Sequence, residues 1–138
     1  MIDRLKAVLD ADPRIAYALI FGSAATGRVV RADSDVDVAI GLAEGAGLTP
    51  LEIGALVARL EEAAGRPIDL VLLDEAPPGL AYRVFRDGRP MTVRSEAALK
   101  ARFVRAVLEY LDFKPFEELF TRGALRAATR GSVGGDGR

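Results

Sequence analysis

Three aspartates and one Gly-Ser pair are the residues whose types and spacing could do chemistry. Gly22-Ser23 closes the apolar run Ile15 to Phe21 (IAYALIF). Eleven residues later comes Ser34-Asp35-Val36-Asp37-Val38-Ala39-Ile40, and Asp69 lies in a third apolar run, Ile68 to Leu73. A glycine at a strand end lets backbone approach a ligand with no Cβ in the way. A Gly-Ser at a strand-to-helix junction offers N–H groups, a hydroxyl and a helix N-terminus, all of which favour phosphate oxygens. Ser23 to Arg28 is long enough for one or two helical turns.

Side chains alternate across a strand, so Asp35 and Asp37 share one face while Val36, Val38 and Ile40 take the other. Aspartate is a poor strand former. Two on one face repel each other unless a cation sits between them. An all-oxygen ligand set suits Mg²⁺, which commonly uses one or two carboxylates together with substrate phosphates. If the Asp69 strand pairs beside the Asp35/Asp37 strand, a third carboxylate joins the cluster, as metal ligand or as acceptor of a hydroxyl proton. Any one of these aspartates also fits a solvated strand-end residue. The ordered set of Gly-Ser, Asp-x-Asp within a strand and Asp in the next strand is what singles out a site.

Those residues resemble the signature of the DNA polymerase β-like nucleotidyltransferase superfamily. Within it, the chain resembles the minimal nucleotidyltransferases and, more closely, the antitoxins of HEPN–MNT toxin–antitoxin systems. The resemblance spans roughly Ile2 to Phe120. Its antitoxin part rests on size, on Pro77 to Pro90 (PPGLAYRVFRDGRP) and on a helical C-terminus with Tyr110 to Phe116 (YLDFKPF). It implies Mg²⁺-dependent transfer of AMP from ATP to a tyrosine of a partner HEPN toxin, in a hetero-oligomer. It also implies phosphate contacts for Gly22 and Ser23, and metal binding and catalysis for Asp35, Asp37 and Asp69. Read from the residues alone, the acceptor is only a hydroxyl.

The composition narrows the alternatives. The chain has 138 residues, enough for one domain with a modest core. It contains neither cysteine nor histidine, which removes disulfides, thiolate or imidazole zinc sites and Ser-His-Asp triads. The net charge of −1 provides no global basic field for nucleic acid. No apolar run reaches the ~18 residues of a membrane span and the start reads as a charged helix, so a cytoplasmic location is expected.

These motifs need elements to position them. Ile2, Leu5, Val8 and Leu9 follow helical spacing, and Asp12-Pro13 ends that helix. Gly27 to Asp33 reads as a polar loop whose Arg28 and Arg31 are either solvated or meet a triphosphate or partner. Gly41 to Gly47 reads as a loop. Thr49-Pro50-x-Glu52 is a capping box with proline at the first helical position, Ile53, Leu56, Val57 and Leu60 form the buried stripe, and Gly65 ends the helix. Leu80 to Arg86 is a short helix, Asp87-Gly88 a turn and Met91 to Val93 a short strand. Ser95 caps a helix through about Asp112 with Leu99, Phe103, Val107 and Tyr110 on one face. Val104, Leu108 and Leu111 widen that stripe into either core or a surface for a helical partner. Lys114-Pro115 is expected to interrupt it, with Phe116, Leu119 and Phe120 on a second helix.

The order of elements predicts an α+β sandwich, a mixed β-sheet flanked by helices with the aspartates at one end. Residues 1–130 are expected to form the nucleotidyltransferase domain that the resemblance implies, its C-terminal helices starting near 95, and 131–138 have the composition of a disordered tail. Two other functions fit the same residues: an aminoglycoside-type small-molecule adenylyltransferase, and an antitoxin that acts by binding alone.

Overall fold

The structure, a computed structural model, describes residues 1–25 and 34–129, with side chains as far as Pro115. Its elements are α1 (Ile2–Asp10), β1 (Ile15–Phe21), β2 (Val36–Leu42), α2 (Pro50–Ala64), β3 (Ile68–Leu72), α3 (Pro78–Asp87), β4 (Arg89–Val93) and α4 (Glu96–Thr129). Single 3₁₀ turns follow β1 (Gly22–Ala24) and β3 (Leu73–Glu75). The expected loop Gly27 to Asp33, the tail 131–138 and the side chains of Phe116, Leu119 and Phe120 lie outside the described residues.

The four strands lie in the order β3-β2-β1-β4. β1 pairs antiparallel with β2 and β4, and β2 pairs parallel with β3. A parallel pair needs a crossover, and α2 supplies it. β4 is an edge strand, which is where its Pro90 is tolerated. The sheet is therefore mixed, as the sequence predicts.

Both faces of the sheet are covered. Ala18, Ile20, Val36, Val38, Ile40 and Ile68 pack against Leu5 and Leu9 of α1 and Leu56 and Leu60 of α2. On the other face Tyr17, Leu19 and Ala39 meet Ala81 and Val84 of α3 and Ala106 of α4. α3 is clamped to α4 by a parallel stack of Tyr82 on Tyr110, centroids 4.1 Å apart, and by a tilted Phe85–Phe103 contact at 5.5 Å. α2 starts as expected: Thr49 Oγ1 accepts from the Glu52 amide at 3.2 Å, and the Glu52 carboxylate accepts from the Thr49 amide at 2.9 Å. Gly65 ends it in the left-handed region, φ 71°.

Four expectations need correction. β2 runs on to Leu42, so Gly41 is strand rather than loop. It pairs with Tyr17, and a side chain there would strike the Tyr17 ring. α3 begins at Pro78 and continues through Asp87, with Gly88 its cap at φ −80°, so Asp87 belongs to the helix rather than to a separate turn. α4 carries on through Pro115 to Thr129. The proline costs one amide in the helical ladder, but good helix formers on either side keep the turns going. Finally, the inward line of α4 is wider than periodicity suggests: Leu99, Phe103 and Tyr110 do pack on the core or on α3, but the fully buried positions lie beside them. Arg102 and Ala106 are buried, while Phe103 is 46% exposed.

Candidate active site

The pairing of β2 with β3 sets Asp37 directly opposite Asp69. Neighbouring strands lie about 4.8 Å apart and paired side chains share a face, so the two carboxylates stand side by side. β1 contributes from the other flank, where Phe21 pairs with Asp37. The chain then turns at Gly22, with φ 73° and a Cβ position that would collide with the Asp37 carboxylate. In the sequence the glycine reads as room for a ligand. In the structure the group it makes room for is first of all Asp37.

Alternation also decides which way the cluster points. Val36, Val38 and Ile40 belong to the core beneath α1 and α2. Asp37 has the parity of Ala39, which packs under α3 and α4. The carboxylates thus open on the α3/α4 side of the sheet.

Asp37 is only partly exposed, and its carboxyl is pushed above the ordinary carboxylate range. Burial is the largest cause, followed by the negative charges of Asp69 and Asp35 and by hydrogen bonding with Asp69. Asp35 sits just before β2, is exposed, and acts on Asp37 through its charge. Ser23 is exposed within the single 3₁₀ turn. That turn is shorter than the expected helix, and the segment beyond Ala25 lies outside the described residues.

Geometry therefore brings Asp37, Asp69, Gly22 and the charge of Asp35 to one end of the sheet. Among the described residues, no group of three or more acidic side chains is set to hold a metal ion by itself. The donor set nevertheless fits Mg²⁺: oxygen ligands alone, and two neighbouring carboxylates whose repulsion a divalent cation would relieve. Phosphate oxygens from a nucleotide are the natural remaining ligands.

Sequence reasoning missed Arg102. Its guanidinium is buried, Nη2 donates to the Leu73 carbonyl at 2.8 Å, Nη1 lies 3.8 Å from Glu109 Oε1, and among the described residues Nε and Nη1 have no hydrogen-bond partner. Its i+4 relation to Ala106 and its i−3 relation to Leu99 put it on the inner line, a signal masked by the larger apolar residues beside it. Tyr17, close by, has its hydroxyl pushed up to about 12, first by burial and then by the charge of Asp74.

Comparison with known proteins adds a family. Residues 3–97 match the family model described as polymerase beta, nucleotidyltransferase. Among curated proteins nothing matches. Among solved structures the chain is similar to one of a toxin–antitoxin with AMP-PNP, TM-score 0.77 and 21% identity over 90% of this chain and 98% of that one. It is similar to a complex of tri-AMPylated HEPN toxin with MNT antitoxin from Shewanella oneidensis, TM-score 0.71 and 18% identity over 91% and 99%. It is also similar to a structure named as a candidate minimal nucleotidyltransferase, TM-score 0.54 and 33% identity over 64% of this chain and 89% of that one. No helix among the described residues is long and apolar enough to cross a membrane.

Proposed function

Since the chain belongs to the polymerase beta nucleotidyltransferase family, we propose that it transfers AMP from ATP to a tyrosine hydroxyl of a HEPN-type toxin and neutralises it. The observation that carries this reading is the in-register pair Asp37 and Asp69 beside the Gly22 turn. The solved structures similar to this chain support the choice of nucleotide and partner, since one contains AMP-PNP and another an AMPylated HEPN toxin with its MNT antitoxin.

In this reading the Gly22-Ser23 turn holds the triphosphate through backbone amides and the Ser23 hydroxyl. Asp37 and Asp69, with Asp35 beside them, would hold Mg²⁺ jointly with phosphate oxygens of the nucleotide, and Mg²⁺ when bound neutralises phosphate charge. Asp69 orients the acceptor hydroxyl and takes its proton. The hydroxyl oxygen attacks the α-phosphorus in line, forming a new P–O bond, and the bond to the β-phosphate oxygen breaks. Pyrophosphate leaves. Positioning and charge neutralisation supply most of the rate.

Mass spectrometry of a toxin co-expressed with the antitoxin is the direct test. The expected result is one or more AMP adducts on tyrosine, absent when Asp35 and Asp37 are both replaced by asparagine. If the double variant still neutralises the toxin fully with its fold intact, contact alone suffices and the catalytic reading is wrong.

A further inference from the structure

Beside the side chains that pack on α3 and the sheet, α4 turns a second set of large apolar side chains outward. Val104, Leu108 and Leu111 are 54%, 57% and 58% exposed, while the buried positions of the same helix are held by Arg102 and Ala106. A helix that serves only its own core does the reverse. The three residues are spaced i, i+4 and i+7, so they form one stripe along the helix. We propose that this stripe is the docking surface for a helix of the HEPN-type partner, a proposal that rests on the function given above.

Three observations choose that occupant. The first is position: α4 covers the face of the sheet towards which Asp37 points, the one built on Tyr17, Leu19 and Ala39. A protein seated on α4 therefore stands on the side from which its hydroxyl can reach the carboxylates. The second is length. At 34 residues α4 spans about 50 Å, roughly twice the reach of the seven-residue strands it crosses. It is longer than the sheet it packs on.

The third observation is where likeness begins and ends. The family model stops at residue 97, as α4 starts. The similarity to a toxin–antitoxin structure takes in 90% of this chain, more than the 95 residues before α4 can provide, so it must extend well into α4. The match to a candidate minimal nucleotidyltransferase, at 64%, can be met without α4. The long helix thus lies beyond the stretch the family model matches and within the likeness to a toxin–antitoxin structure. An i, i+4, i+7 stripe is also the pattern by which a helix packs against another helix.

The test uses the full chain co-expressed with its cognate HEPN toxin. In the Val104→Asp/Leu108→Asp variant, co-elution is lost and the apparent KM for toxin rises at least about tenfold, the loss expected of two central apolar contacts. The upward shift in Tm caused by Mg²⁺ and ATP on the antitoxin alone stays at the wild-type size, because nucleotide binding does not involve the stripe. Leu111→Arg provides an independent variant with the same expected outcome.

Unchanged co-elution and KM would overturn the proposal. So would a variant that converts an antitoxin dimer to monomer while toxin binding persists, since the stripe would then belong to a second copy of this chain. The two readings fail separately. If the wild-type pair co-elutes through the stripe but no AMP appears on the toxin, the chemistry is wrong and the docking surface stands.

Discussion

Gly22 and Asp37 share one small volume: the Asp37 carboxylate occupies the space a Cβ on Gly22 would need, at a residue whose φ is already 73°. An alanine there is strained by its backbone, by about 1 kcal/mol, and also displaces the carboxylate. We expect Gly22→Ala to fold with a lowered Tm and to lose AMP transfer by about a hundredfold or more, the scale of losing one preorganised charged group. Near-wild-type transfer by this variant would mean that Asp37 is not held where the chemistry needs it.

Gly65 is the matched control. Its φ is 71°, almost the same, but among the described residues nothing lies within 4 Å of where its Cβ would stand. Gly65→Ala should therefore show the backbone penalty alone, about 1 kcal/mol by denaturant unfolding. Its kcat/KM should be unchanged. Comparing the two variants separates strain from collision.

Asp37 predicts a pH-dependent gain from removing a charge. Its pKa is raised in the fold, by burial first and by Asp69 and Asp35 next. A group of this kind favours the fold below its unfolded value and loses that contribution as pH rises through the raised one. Without nucleotide or metal, Asp37→Asn should thus have a higher Tm than wild type at pH 7. The advantage should vanish towards about pH 3, where the aspartate is protonated in both states. Activity should be lost at every pH. A lower Tm for the asparagine variant at pH 7 would refute the assignment of a repulsive acidic cluster.

At the opposite end of β1, Asp12 works the other way. It is 7% exposed, accepts two guanidinium bonds from Arg14 at 2.9 and 2.7 Å, and accepts the Arg14 amide at 3.1 Å. The Arg14 hydrogen bonds hold its carboxyl below the usual range. Stability from such a group is present above the ordinary carboxylate value and is lost as pH falls through the depressed one. Asp12→Ala should cost about 2 kcal/mol at pH 7, measured by urea unfolding. The difference should shrink on acidification, with nucleotide affinity unaffected.

Much of this was written locally. The capping box of Thr49 and Glu52, the left-handed Gly65 and the alternation of Asp35 and Asp37 against Val36 and Val38 each depend on neighbours a few residues away, so they could be read directly. α4 could not. It has apolar residues on more than one side, and periodicity then gives no means of telling which side faces the core. The small Ala106 and the long Arg102 fit under the sheet, and the bulkier Val104 and Leu108 are left outside. Pro115 misled for a related reason: its local cost is real, but good helix formers on both sides outweigh it.

By itself, the sequence determined the chemistry available: oxygen ligands with no imidazole or thiolate, a phosphate-suited Gly-Ser turn, and an alternation that keeps two aspartates off the valine face. The tertiary structure decided that Asp69 would stand opposite Asp37 and that the cluster would open towards α3 and α4. Strand order and register arise from packing between segments thirty residues apart, where helices α1 and α2 must cover one face and α3 and α4 the other. No short-range rule carries that information.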